Sequence, residues 1–467
     1  MRLKALLTNM GFVLQMAGIF IILPIILSFI FNEMSATIAL FLAATAFFAL
    51  GFLLNALCER KELTYKQSCT LIVLVFILLS IIGAIPYLYI NISHGDALQN
   101  LTDSVFESAS GYTTTGFSVI SNLSTIPKSI IFYRALTQFI GGIGIVLVLL
   151  AFFYPEAKLT EFSRSMGFST NQKIKRTFLF ILLIYFVYTI VMFILGIISG
   201  YRDLVSLVSF IFSALSTGGF SPINDIATVA SQFPLNFILI LGMILGAANF
   251  FVLAGLFKGK FKEFFKSEIS AFLGLSIISI IIVILAFKLS LSDAVFHVFS
   301  AMSTTGFSYL SVPDFSDGLK LFLVFLMFVG GASFSTAGGI KIYRFLLIFK
   351  TIKKAISDDI TKQDAPVKLF GKEYTNPELI EAMAIVVLMI IFMFIGTLIV
   401  SLYGFHPIDS LFETTSAIAT TGLSAGVIGP SLALELKWLF VFLMIVGRVE
   451  ILAFFIIFSR KREPKIV

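Results

Sequence analysis

The sequence predicts an all-α integral membrane protein in which four related helix–loop–helix units, joined in one chain, follow two extra N-terminal transmembrane helices. Three observations predict it. The 467-residue chain is 58% hydrophobic and only 13% charged, with a mean hydropathy of +1.03, a composition that no ordinary water-soluble core requires. Ten segments each approach the roughly 20 apolar residues a helix needs to cross a hydrocarbon layer. Between them, short semi-polar stretches recur with a shared internal pattern.

The ten segments are 11–32, 36–56, 68–92, 130–153, 177–199, 233–256, 269–289, 319–349, 379–402 and 435–458. The first is too long, and followed by too many further apolar runs, to read as a cleaved secretory signal. The 319–349 segment is interrupted by a Gly/Ser/Thr cluster and is not expected to be one smooth helix. The formal net charge of +7 is distributed rather than clustered: 26 of the 33 Lys and Arg residues fall at the two termini and in the connections 57–67, 154–176, 257–268 and 341–373. Basic residues at every second connection mark cytoplasmic loops, which places both termini inside. The same distribution accounts for the charge without a nucleic-acid surface.

Residue types exclude other chemistries. Cys58 and Cys69 flank one short polar connection and imply no disulfide framework, and His94, His297 and His406 share no metal-ligand spacing. Neither a nucleotide-binding glycine fingerprint nor a hydrolase motif of the H-E-x-x-H or G-x-S-x-G kind occurs, so a membrane enzyme is the weaker reading and no catalytic cofactor is expected.

The stretches 96–128, 201–232, 290–318 and 403–434 carry the repeat. Aligned on Gly116, Gly219, Gly306 and Gly422 they read SGYTTTGFS, SALSTGGFS, SAMSTTGFS and SAIATTGLS. Two residues before the glycine stands Thr114, Thr217, Thr304 or Thr420, and two after it Ser118, Ser221, Ser308 or Ser424. Six before it stands Ser110, Ser213, Ser300 or Ser416. Three copies add Asp103, Asp293 or Asp409, followed three positions on by Phe106, Phe296 or Phe412. The second copy has Ser206 and Ser209 there, with Asp203 nearby. This spacing predicts a short re-entrant helix, capped by Asp and packed by Phe, from whose end the glycine strand returns. Glu107 and Glu413 read as charges near the starts of two such helices.

A dehydrated cation needs a cage of oxygens, and rings of backbone carbonyls provide one without fixed negative charge. Glycine lets the backbone approach closely and take the required angles, and threonine adds hydroxyl oxygen. Four such loops around one central pore also satisfy irregular backbone at membrane depth. The candidate selectivity filter is therefore Thr113, Thr114, Thr115 and Gly116; Ser216, Thr217, Gly218 and Gly219; Ser303, Thr304, Thr305 and Gly306; and Ala419, Thr420, Thr421 and Gly422. Any one copy alone would read as an ordinary turn.

With these motifs the chain resembles the Trk/Ktr/HKT potassium transporter superfamily, most closely the membrane subunit of the prokaryotic Trk system. FYRALTQFIGGIGI (132–145), GAANF (246–250), GGASFSTAGGIK (330–341) and GRVEI (447–451) agree, and the two leading helices favour the Trk-like branch. The resemblance implies four helix–pore-loop–helix repeats around one pore, with potassium as the transported ion. The repeats divide as 61–165, 166–264, 265–370 and 371–467, after the two helices of 1–60.

Gly330, Gly331, Ser333, Ser335, Thr336, Gly338 and Gly339 are read as a protein-enclosed segment beneath the filter, because this polar run would be costly against lipid. The resemblance assigns the segment to an intramembrane gate. Phe334 stands where the family pattern has glycine and is expected to stiffen or occlude it. Arg448 could pair with Glu450, bond helix carbonyls or reach an interface. The resemblance instead places it below the filter, at the gate. Arg134 is expected to be a near-interface anchor. The resemblance further implies a homodimer over a cytoplasmic nucleotide-binding regulatory ring, a plasma-membrane location, and potassium uptake that is channel-like or coupled to H+ or Na+.

Overall fold

The computed structural model describes residues 2–56, 63–93, 95–148, 174–256, 259, 264, 267–356 and 367–458. Cys58, His94 and the basic Lys258, Lys260, Lys262 and Lys266 lie outside the described residues. Cys69 is buried.

Helices α1 (Arg2–Ile30) and α2 (Met34–Asn55) form a hairpin. They approach at two glycines: a methyl group on Gly11 would lie 2.6 Å from the Gly51 carbonyl oxygen. Small residues in this way replace the hydrophobic drive that is missing between helices in lipid. The turn between them supplies Glu33, whose carboxylate accepts from the Lys128 and Ser129 amides at 2.7 and 2.9 Å, capping the helix that begins at Lys128. The two extra helices are thereby tied to the first repeat.

Each repeat then runs helix, short helix, return strand, helix. In the first these are α3 (Tyr65–Ile82) with α4 (Ile85–Ile90), the short α5 (Ala97–Tyr112) and α6 (Lys128–Val148). The second has α7 (Ile174–Ile198), α8 (Leu204–Leu215), and α9 (Leu235–Ala247) continued by α10 (Phe250–Leu256). The third has α11 (Glu268–Phe287), α12 (Leu291–Met302), and α13 (Asp317–Val329) continued by α14 (Ile342–Ile356). The fourth has α15 (Asn376–Leu402), α16 (Pro407–Ile418), and α17 (Leu434–Arg448) continued by α18 (Ile451–Ile456). The short helices α5, α8, α12 and α16 are buried among the others. Long apolar faces, such as Ile281, Leu285, Ile390 and Phe394, remain exposed on α11 and α15, as a lipid-facing surface requires.

Two features depart from the sequence expectation. The spans 233–256 and 435–458 are broken, at 248–249 and 449–450, as well as the interrupted 319–349; among the described residues five helices are individually long and apolar enough to cross a membrane. A small antiparallel hairpin, β1 (Val367–Leu369) and β2 (Lys372–Tyr374), lies between the third and fourth repeats. Its two-residue turn, Phe370-Gly371, has both φ angles positive, the backbone twist such hairpins prefer. Val367, Leu369 and Tyr374 pack on Leu347 and Ala382, clamping α14 to α15.

Candidate functional site: a ring of four loops and the segment beneath it

All four short helices end in the same way. The N–H two residues before the reference glycine (Thr114, Thr217, Thr304, Thr420) donates to the carbonyl three residues back. The next N–H (Thr115, Gly218, Thr305, Thr421) donates to the carbonyl of Ser110, Ser213, Ser300 or Ser416, at 2.8–2.9 Å. This is a Schellman termination. Its left-handed position, usually glycine, is threonine in every copy, with φ of 55°, 51°, 54° and 50°. A β-branched residue rarely tolerates that region, so the surrounding structure must hold it there. The glycines two positions on, Gly116, Gly219, Gly306 and Gly422, are also left-handed, at 80–90°.

The glycines close a ring. A methyl group on Gly116 would lie 2.1 Å from the carbonyl oxygen of Gly218, and one on Gly219 2.1 Å from that of Thr305. On Gly306 it would lie 1.9 Å from that of Thr421, and on Gly422 1.9 Å from that of Thr115. Each glycine therefore faces the residue preceding the next copy's glycine, in the order one, two, three, four and back to one. Four loops spread along the sequence thus share one axis, and each helix aims its carbonyl end, the negative end of its dipole, at it.

Behind the ring the copies differ. Nine residues before the glycine stand Glu107, Phe210, His297 and Glu413, none at a helix start as expected for the two acids: each lies within its short helix and faces the strand leaving the ring. Glu107 accepts from Ser118 Oγ at 2.9 Å, Glu413 from Ser424 Oγ at 2.5 Å and from the Val427 amide at 3.1 Å. His297 Nε2 pairs with Ser308 Oγ at 3.0 Å. The recurring serine two after the glycine is thus a strap to the short helix. In the second copy Phe210 has no such group, and Ser221 Oγ instead bonds the Ile223 carbonyl. Arg134 covers that gap. It is 1% exposed and anchors several elements: it forms an ion pair with Glu107 at 2.5 Å, donates to Ser118 Oγ and the Ser221 carbonyl, and lies 4.1 Å from the Phe220 ring centroid.

The aspartates are also redistributed. Asp103 is not a cap; Asp96 caps α5, and Asp103 lies about two turns further in, paired with Lys437 of α17 at 2.6 Å with both side chains buried. Asp409 pairs with Lys320 of α13 at 2.7 Å. Asp293 accepts from Ser290, the cap of α12, and from Tyr309. In the second copy Asp203 is the cap, accepting from the Ser206 amide and hydroxyl. Phe106, Phe296 and Phe412 are fully buried. At two of the four seams, third to fourth and fourth to first, an Asp–Lys pair links the helix that follows a loop to the short helix of the next copy, and sequence reasoning missed it because partners such as Asp103 and Lys437 are 334 positions apart.

Below the ring, glycines let the following helices meet the ends of the short ones: methyl groups on Gly141, Gly246 and Gly447 would lie 2.0, 2.5 and 2.0 Å from the carbonyl oxygens of Tyr112, Leu215 and Ile418. The next residue in each helix is Gly142, Ala247 and Arg448. Arg448 crosses this level, donating to the Thr336 carbonyl at 2.7 Å and the Gly141 carbonyl at 2.9 Å. Of the alternatives for Arg448, carbonyl bonding is the one observed. Glu450 pairs with Arg344 instead, at 2.8 Å.

Segment 330–341 leaves the helical path entirely. Gly330, Phe334, Gly339 and Lys341 have positive φ, which explains why glycine suits position 334 and phenylalanine is strained there. Its exposed backbone is satisfied by the break in the second repeat: Ala332 and Thr336 donate to the Ala247 and Gly246 carbonyls, and Phe250 donates to the Phe334 carbonyl. Thr336 Oγ1 bonds the Gly246 and Leu215 carbonyls, Ser335 Oγ the Ala332 carbonyl, and the Ser333 amide the Glu268 carboxylate at 2.6 Å. Gly331 packs its α-carbon side against Ala337 and Ala247. At its inner end Lys341 Nζ bonds the Ala337 carbonyl. At its upper end Gly338 touches the ring: its amide donates to Thr304 Oγ1 at 2.6 Å, and a methyl group there would lie 1.9 Å from the Ala419 carbonyl oxygen. The break at 248–249, invisible as a hydropathy dip, had one polar signal, Asn249, and the one at 449–450 had Glu450.

Comparison with known proteins gives a consistent picture. The family model TrkH, described as cation transport protein, matches residues 36–285 and 279–466. An uncharacterized cation transporter of Methanocaldococcus jannaschii is 32% identical, covering 98% of this chain and 95% of that one. The Trk system potassium uptake protein TrkH of Halomonas elongata is 26% identical over 98% and 99% of the two chains, and that of Escherichia coli K12 is 24% identical over 86% of each. The crystal structure of the potassium transporter TrkH from Vibrio parahaemolyticus superposes with a TM-score of 0.85, covering 98% of this chain and 99% of that one, at 21% identity. That structure establishes the fold.

Proposed function

The chain belongs to the TrkH family of cation transport proteins, and from that membership and the closed ring we propose that it carries potassium ions across the membrane through the four loops. The single observation that carries this reading is ring closure, in which each glycine abuts the carbonyl preceding the next. A potassium ion entering from outside exchanges its water for the carbonyl and threonine oxygens of the sixteen filter residues, four from each loop. It then meets the 330–341 segment and the Arg448 guanidinium, which together close the path: a cation beside an uncompensated charge in a low-dielectric passage is repelled. Opening requires the segment to leave Thr304 and Arg448 to release Thr336 or Gly141. Potassium, rather than another cation, is supported by four glycines at the matching positions and by relatives named as potassium uptake proteins.

The same reading takes 61–165, 166–264, 265–370 and 371–467 as the functional quarters, with 1–60 as an accessory hairpin. This reading puts both termini in the cytoplasm, supported by the basic connections, and the protein in the cell membrane, as the resemblance implies. A second copy and a cytoplasmic nucleotide-binding ring act on the gate from that side, as the resemblance implies. The test is flux in proteoliposomes with K+, Rb+ and Na+ gradients: rubidium and potassium should pass and sodium should lag. Absence of cation flux in folded, reconstituted protein would overturn the proposal. Flux driven by a potassium gradient alone marks conduction; flux that requires an imposed H+ or Na+ gradient marks coupling.

A further inference from the structure

The four threonines at the inner edge of the ring have the same backbone but different hydroxyl partners. Thr114 and Thr420 are buried and their hydroxyls have no hydrogen-bond partner in the protein. Thr217 donates to the Ser216 carbonyl at 2.7 Å. Thr304 alone accepts an amide from outside the ring, that of Gly338 at 2.6 Å. The contact is enforced, because Gly338 is wedged against the Ala419 carbonyl and the Thr420 hydroxyl with no space for a side chain. A buried hydroxyl without a protein partner is costly unless something else uses its lone pairs. At the inner edge of a cation path, a cation is the natural user. An N–H donor brings its positive end to the same oxygens and competes with such a cation both for the lone pair and by charge.

We propose that the Gly338 amide and a permeating monovalent cation compete for the Thr304 hydroxyl, so that seating of the 330–341 segment and cation occupancy at the inner edge of the ring oppose each other. This rests on the ring being the cation path, and it assigns Thr304 as the positioning residue through which filter and gate sense one another. A cation arriving at the inner edge loosens the segment; a seated segment weakens the last cation site. The other three threonines carry no such link, so the coupling enters through the third repeat, the one whose following helix is most widely interrupted.

Amide hydrogen exchange of the full chain in nanodiscs, read on peptides covering 330–341, tests this without relying on flux. In saturating KCl the wild type should exchange there about fivefold faster than in choline chloride of equal ionic strength, the scale of one hydrogen bond lost. Thr304→Val should exchange fast in both salts. Thr304→Ser, which keeps the hydroxyl, should restore the potassium response. Thr114→Val, which removes a cation oxygen but no amide bond to the segment, should keep exchange in choline as slow as the wild type while weakening the potassium response. A Thr304→Val protein that still shows slow exchange in choline and the full potassium response would overturn the proposal, as would failure of Thr304→Ser to restore it. Wild-type protein that passes potassium but shows no salt effect on 330–341 overturns the competition alone. Protein that shows neither flux nor salt effect overturns the cation path as well.

Discussion

The ring and the structure that braces it follow opposite rules. In the ring the four copies are nearly interchangeable: threonine φ angles span 50–55°, glycine φ angles 80–90°, and each glycine approaches its neighbour's carbonyl equally closely. Immediately behind and below, the copies diverge. The strap is Glu, His or Glu, with Arg134 reaching across where the second copy has Phe210. The residue facing the axis below is Gly142, Ala247 or Arg448, and in the third repeat the helix dissolves into the 330–341 segment. A cation surrounded by four ligand sets requires them to be alike, because one displaced carbonyl spoils the cage. Bracing requires only that space be filled and buried charge be paired, which many residue sets achieve. On the proposed reading gating requires inequality, since a single gate segment cannot be fourfold.

The sharpest way to break this comparison is to substitute the ring glycines one at a time. Gly116→Ala places a methyl group against the Gly218 carbonyl at a φ of 90°. Left-handed strain of about 1–3 kcal/mol and overpacking of about 1–3 kcal/mol add to a distortion that should reduce potassium flux to background. Gly219→Ala, Gly306→Ala and Gly422→Ala should do the same. If one of the four retained wild-type flux and potassium-over-sodium preference, the ring would not be the equal cage described.

Bracing should behave differently, because it is replaceable in sets. Lys437→Met leaves Asp103 buried and uncompensated and should destabilise by about 3–5 kcal/mol, read as a lowered unfolding midpoint in detergent. The molecule already contains the alternative. Lys437 and Lys320 stand ten residues before Gly447 and Gly330; the matching positions before Gly141 and Gly246 are Ile131 and Asn236. Ile131 belongs to the helix packed on the second short helix, where the aspartate position is Ser206. At that seam both charges are missing together. The double variant Lys437→Ile with Asp103→Ser imports this apolar and polar pair, and should recover most of the lost stability. No recovery would mean that the charge pair itself, and not only its completeness, is required.

The same contrast governs what the sequence made legible. The ring repeats one local pattern, Thr, two positions, Gly, two positions, Ser, so it could be read by laying four stretches over one another. Bracing is long-range and unrepeated. Nothing near Asp103 announces Lys437, and Glu107 reads as a helix-start charge until Arg134 is seen against it. The helix break at 248–249 lies in an apolar run with little local signal, because its freed carbonyls and amides are satisfied by the 330–341 segment rather than by local polar residues. Asn249 was the signal at the first break, and Arg448 with Glu450 flanks the second. The hairpin of 367–374 is too short for its alternation to register, although Phe370-Gly371 has the residue its turn favours.

Two substitutions in the plug sharpen the comparison from its unequal side. Gly338→Ala cannot seat under the ring without displacing the Ala419 carbonyl. Overpacking of about 1–3 kcal/mol should shift the segment away and raise basal potassium flux roughly tenfold, with the potassium-over-sodium preference kept if the ring itself recovers. Lost selectivity would show instead that plug and ring cannot be separated.

The smallest effect is expected at Phe334, held at φ 52° while its carbonyl accepts from Phe250. Glycine tolerates that backbone freely, so Phe334→Gly relieves strain of about 1 kcal/mol in the closed arrangement but also removes a ring packed against the apolar core. The two act oppositely on stability and together on mobility. The unfolding midpoint should therefore move little, while hydrogen exchange across 330–341 rises and basal flux increases about two- to fivefold. A Phe334→Gly protein with a tighter, less exchanging segment would mean that phenylalanine holds the plug open rather than shut, reversing the role the sequence suggested for it.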